Sequence, residues 1–140
     1  MIYGMRNTEN NIKRLAIWLG ILQLFIGIGA IPAGLAMIID PSGSLLTMPL
    51  EMLAKSPFSD FLIPGILLLL INGIGSFIGV TASFLRSKSA GDIAIGLGVF
   101  LIGWILAQIV WMEIHWLHII YIILGTVELI LGLVLRKKMQ

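Results

Sequence analysis

Four apolar runs dominate this chain, and no other feature limits its fold so severely. They are "LAIWLGILQLFIGIGAIPAGLAMII" at 15–39, "FLIPGILLLLINGIGSFIGVTASFL" at 61–85, "IAIGLGVFLIGWILAQIVWM" at 93–112, and "IIYIILGTVELILGLVL" at 119–135, which is at the lower limit for a span and borrows Trp116 and Leu117 to give a helix over about 117–135. A helix rises about 1.5 Å per residue and a bilayer core is about 30 Å thick, so runs of this length suffice to span. Backbone in lipid must satisfy its own hydrogen bonds, which selects helices over open strands. Charged residues make up 11% of the 140-residue chain and hydrophobic ones 59%. Water-soluble domains carry about 25% charged residues, so this chain lacks the polar groups to cover a soluble surface. The expectation is an all-α, four-helix transmembrane bundle forming a single integral membrane domain over 1–140. The first run follows basic residues as a signal peptide would, but its apolar core is too long for one, and it is read as a retained helix.

Basic residues set the expected orientation. Arg6, Lys13 and Arg14 precede the first span, Arg86 and Lys88 separate the second from the third, and Arg136, Lys137 and Lys138 follow the fourth; Lys55 alone lies on the opposite side. The positive-inside rule then places both termini in the cytoplasm of a plasma (inner) membrane. The net charge of +2 gives no reason to expect nucleic acid as a partner. The absence of cysteine excludes disulfides, thiolate metal sites and thiol redox chemistry.

Between the first two spans lies "DPSGSLLTMPLEMLAKSPFSD". "DPSG" is turn chemistry, and "MPLEMLAK" has Pro49 at a helix start followed by Leu50, Met52 and Leu53. A short amphipathic helix on the outer surface is expected there, with Ser59 or Asp60 capping the second span. Pro64 then falls in the first turn of that span, and Pro32 is expected to kink the first near Ile28.

Small residues recur at helical spacing. Gly20, Gly27 and Gly34 are seven apart, as are Gly96 and Gly103, and Gly125 and Gly132; Gly75 and Gly79 lead to Ser83. Such ridges let helices approach closely in lipid, within the bundle, in a homo-oligomer or against a membrane protein partner. Trp18, Trp111 and Trp116 read as interfacial, whereas Trp104 is expected to pack on a glycine face.

Intramembrane polar residues are costly and therefore informative. They are Gln23, Asn72, Gln108 and Glu128. Counted from the cytoplasmic ends, Gln23 and Glu128 share a layer roughly 12–14 Å deep, while Asn72 and Gln108 lie roughly 21–24 Å deep. The amides suit interhelical hydrogen bonding. Glu128 reads either as a neutral carboxyl bonded to Gln23 or as the centre of a small proton-coupled carrier. On the outer side, "MEIHWLH" holds Glu113, His115 and His118, and Asp40, Glu51 and Asp60 share that side. These ligand types suit a divalent metal, and the histidines suit haem, although no HExxH spacing is present. No cofactor is expected from any stronger motif: the glycines lack the strand and lysine of a phosphate loop, and no Ser-His-Asp arrangement stands out.

"DPSG", "MPLEML", "SPFSDFLIPG" and "GWILAQ", followed by an acid in the last span, resemble a family of small, uncharacterised bacterial four-span integral membrane proteins. The resemblance covers the chain from about Asp40 onward. It implies a prokaryotic plasma or inner membrane and carries no activity, cofactor or catalytic residue. Disulfide-handling quinone reductases need cysteines, and small multidrug transporters usually place an acid early in the first span, where this chain has Gln23. Three functions follow in order: a non-enzymatic accessory or interaction partner in the cell envelope; a small transporter centred on Glu128; and a metal- or haem-binding enzyme using His115 and His118.

Overall fold

The computed structural model describes residues 2–140. Each apolar run is a helix: α1 covers Ile2–Ile39, α2 Leu62–Phe84, α3 Ala90–Trp111 and α4 Trp116–Met139. All four are long and apolar enough to cross a membrane, and no strand occurs among the described residues. The chain is a multi-pass, all-helical membrane protein. We call the side bearing the chain ends and the 85–89 turn the terminal side, and the other the loop side.

Burial is inverted relative to a soluble protein. Phe25, Ile28, Leu70, Ile78, Val99, Val110, Ile123 and Ile130 point outward, whereas Gln23, Asn72, Ser76, Ser83 and Glu128 are buried. Lipid solvates the first set at no cost; the second set would be expensive in lipid and is shielded by the other helices.

The bundle is assembled from two hairpins. α1 lies along α2, and α3 lies along α4, with less extensive contact between the pairs. The α3–α4 seam is closed by Gly91, Ala94 and Gly98 against Gly125 and Gly132. A methyl on Gly98 would lie 2.9 Å from the Gly125 carbonyl oxygen and 2.9 Å from the Leu129 nitrogen. Gly34 and Gly65 make the equivalent contact between α1 and α2. On the terminal side, Leu19, Ala82, Ala90, Ala94 and Leu135 bring all four helices into one core.

Several details depart from the sequence reading. Helix α1 begins thirteen residues before position 15, because Arg6, Lys13 and Arg14 continue the helix into water instead of ending it. α3 starts at Ala90 and α4 runs on to Met139 through its basic end, where positive charge suits a helix C-terminus. The expected amphipathic helix is instead two short 3₁₀ turns, Ser44–Leu46 and Leu50–Leu53. Six residues between Pro49 and Ser56 are too few to propagate a stable α-helix before Ser56 and Pro57 interrupt it. The segment is nonetheless ordered by local bonds: Asp40 Oδ1 accepts from Ser42 N–H at 3.2 Å and Ser42 O–H at 2.6 Å, and Phe61 N–H donates to Pro41 O at 2.9 Å. Gly43 takes φ +84° there, a conformation that a side chain would strain.

Of the glycines singled out by spacing, Gly20 packs under Phe84, Gly27 under Phe77, Gly75 near Leu97 and Gly79 under Gln23. Gly96 and Gly103 correct the expectation. Nothing approaches within 4 Å of a methyl placed on either, so both face out of the bundle while Gly91 and Gly98 form the seam.

A loop-side cavity above a buried polar seam

The middle of α2, Leu68–Ile74, is wound as a π-helix. Such segments carry an extra residue per turn and often accompany functional sites. This one contains Asn72, which is 2% exposed and whose Nδ2 has no hydrogen-bond partner.

Asn72 lines a cavity of about 1150 Å³ that occupies the loop-side half of the bundle. Its walls are largely apolar: Ile26, Ala30 and Ala33 of α1, Leu68 of α2, Leu101 and Ile105 of α3, and Tyr121 of α4. Leu53 and Phe61 close it from the loop segment, and Glu51, Lys55, Glu113 and His115 contribute charge and polarity towards the loop side. Gln108 also lines it, so Asn72 and Gln108 meet one space. The volume slightly exceeds the roughly 300–1,000 Å³ common for small-molecule sites.

An aromatic cluster fixes the loop to this cavity. The Phe58 ring lies 5.6 Å edge-on from Trp111 and 6.5 Å from Trp104, and Trp104 stacks on Phe100 at 6.1 Å. Trp104 therefore packs among aromatic rings, not on the expected glycine face; Gly96 and Gly103 face outward and offer no wall for it. Trp116 is exposed and lies beside His115.

The two histidines build the start of α4. Leu117 N–H donates to His115 Nδ1 at 3.3 Å, and His115 N–H donates to His118 Nδ1 at 3.0 Å. This reciprocal cap satisfies backbone donors that the helix itself leaves open. With Nδ1 accepting, the neutral His118 ring carries its hydrogen on Nε2. Among the described residues, no three His, Asp or Glu are grouped to hold a metal ion. Asp40 and Asp60 are occupied by their own turns, Asp60 Oδ1 accepting from Leu62 N–H at 3.0 Å, so Asp40, Glu51, Asp60, Glu113, His115 and His118 do not assemble into one centre. Asp60 caps α2 from one residue beyond the N-cap position, which Phe61 occupies.

Below the cavity, towards the terminal side, a second polar group is assembled. Gln23 is fully buried; its Oε1 accepts from the Ser83 hydroxyl at 2.8 Å. Gly79 makes room for this amide, since a methyl there would lie 2.6 Å from Gln23 Nε2. The amide neighbours the Glu128 carboxyl, which is 1% exposed. Neither Gln23 Nε2 nor Glu128 Oε2 closes a hydrogen bond. Sequence spacing singled out the four polar residues but missed Ser76, and read Ser83 only as part of a small-residue ridge. Their signal was present: Asn72, Ser76, Gly79 and Ser83 follow an i, i+4, i+7, i+11 pattern on one face of α2.

No family model, curated protein or solved structure matches the chain.

Proposed function

We propose that this is a non-enzymatic integral membrane protein that holds an amphipathic, lipid-like molecule in its loop-side cavity and acts as an accessory or interaction partner in the cell envelope. One observation carries the reading: an apolar space of about 1150 Å³ with the unpartnered Asn72 amide donor buried in its wall. An apolar body fits the Ile, Leu, Ala and Trp lining, and an acceptor oxygen on the ligand satisfies the Asn72 N–H. A buried amide without an acceptor costs about 1–3 kcal/mol, which such a ligand recovers. The distribution of Lys and Arg supports a cytoplasmic terminal side, so the cavity lies in the outer half of the membrane.

The test is extraction and mass analysis of amphiphiles that remain with protein isolated from its own membranes in mild detergent. A stoichiometric amphiphile is expected with the native chain and should be reduced in Ala33→Trp, which pushes an indole into the cavity. Asn72→Leu should weaken retention at least tenfold. Native protein carrying no amphiphile above the detergent-exchanged control refutes the reading.

A further inference from the structure

Four buried side-chain atoms lack a hydrogen-bond partner among the described residues: Asn72 Nδ2, Ser76 Oγ, Gln23 Nε2 and Glu128 Oε2. They are not scattered. Asn72 and Ser76 lie one turn apart on α2, roughly 6 Å along its axis. Ser76 packs against Gly27, where an added methyl would come within 3.3 Å of the serine Cβ. Gln23 precedes Gly27 by one turn of α1, again roughly 6 Å. Gln23 then meets Glu128 on one side and Ser83 on the other. Ser83 lines a second, smaller pocket of about 100 Å³ on the terminal side, between Lys13 and Arg86. The unpartnered atoms thus form one seam between the large loop-side cavity and the opposite face of the bundle.

Side chains one turn apart on one helix face stand about 5–6 Å apart at Cβ, within reach of a bridging water. Buried water usually makes two to four hydrogen bonds to polar groups that lack other partners, which this seam supplies. We propose that the Asn72–Ser76–Gln23–Glu128–Ser83 seam is a proton path through the membrane, bridged by water, with Glu128 as the group that holds the proton. A proton arriving along the waters adds to the Glu128 carboxylate, and its release returns the carboxylate and passes the proton onward past Ser83. No other reactant is consumed.

A metal cation fits this seam poorly. The carboxylate, the two amide oxygens, one of them already accepting from Ser83, and the two hydroxyls are strung along the helices a turn apart, whereas calcium needs its six to eight oxygens around one point. The packing elements offer Glu128 no rival: 15–39 of α1, all of α2, and α3 beyond Asp92 contain no ionisable side chain. On α4 itself, His118 and Tyr121 stand at the loop-side end, and Arg136 at the other end is paired with Asp92 at 3.1 Å. The path depends on the protein's own polar groups and on water and does not rest on the amphiphile reading, so loss of one leaves the other standing.

The experiment uses the full-length chain in liposomes containing a pH-sensitive dye, with an imposed potassium-diffusion potential driving protons. Native protein is expected to raise proton flux well above empty liposomes. Glu128→Gln should reduce the protein-dependent flux at least tenfold, and Ser76→Val several-fold. Since a variant that misfolds also loses flux, the native protein is tested independently by infrared spectroscopy. Its buried carboxyl band, assigned by its loss in Glu128→Gln, should shift on transfer to D₂O before the α4 backbone amides exchange. Native flux equal to that of empty liposomes, unchanged flux in folded Glu128→Gln, or a carboxyl band that shifts only together with the α4 amides overturns the proposal.

Discussion

The two halves of the bundle are built from the same apolar helices but are packed in opposite ways. On the terminal side, small residues let the helices close on one another, and the interior holds Leu19, Ala82, Ala90, Ala94 and Leu135 with the Gln23–Ser83–Glu128 group. On the loop side the same four helices leave a half-open space of about 1150 Å³ beneath an ordered segment pinned by Phe58. Lipid does not drive helices together as water does, so close contact depends on shape. Where glycine and alanine face one another the bundle seals, as Gly34 and Gly65 still do between α1 and α2 on the loop side; Ile26, Leu101 and Ile105 pack into a second apolar cluster that lines the space above them. The difference separates a half that fixes the fold from a half free to accept a guest.

Substitutions should expose that contrast. The largest effect is expected for Gly98→Val, which drives a side chain into the α4 backbone and should cost about 3 kcal/mol, seen as a lower unfolding midpoint in mixed micelles. Ala94→Leu, also on the sealed side, should cost about 1–3 kcal/mol, whereas Ala33→Leu on the cavity wall should leave the midpoint nearly unchanged. A comparable loss at both alanines would erase the distinction between the halves. Phe58→Ala removes contacts with two tryptophans worth about 0.5–1.5 kcal/mol each. Its readout is faster proteolysis within 44–60, with the helices left intact. The smallest effect is expected for Gly96→Ala: it meets no neighbour and gains helix propensity, so stability should stay level or rise by up to about 1 kcal/mol. A marked loss there would reveal a contact that this chain alone does not make.

The contrast also marks how far the sequence could be read. Run length and polarity identified all four helices because hydrocarbon thickness is a strict ruler. The ends were less legible: Arg6, Lys13 and Arg14 signal where lipid stops, but a helix need not stop with it. Periodicity found glycines seven apart on α3 without deciding the phase. Gly96–Gly103 and Gly91–Gly98 have the same spacing, and only the position of α4 chooses between them. Gln23 and Glu128 were conspicuous by polarity. Ser76 and Ser83 were not, because a serine in a membrane helix usually bonds its own backbone and signals little. The cavity was illegible altogether, since a space is a property of facing surfaces and no single residue encodes it.

The π-wound stretch of α2 has one more consequence. A residue accommodated in place turns everything before it by about 100° relative to a regular helix. Regularising that winding with every residue kept would swing Pro64 and Gly65 away from Gly34 while leaving Gly79 and Ser83 beneath Gln23, whereas excising Leu70 would give a plain α-helix with Pro64 and Gly65 still facing Gly34. The loop-side end of α2 is thus aimed separately from the rest, like a key whose bow is twisted against its blade.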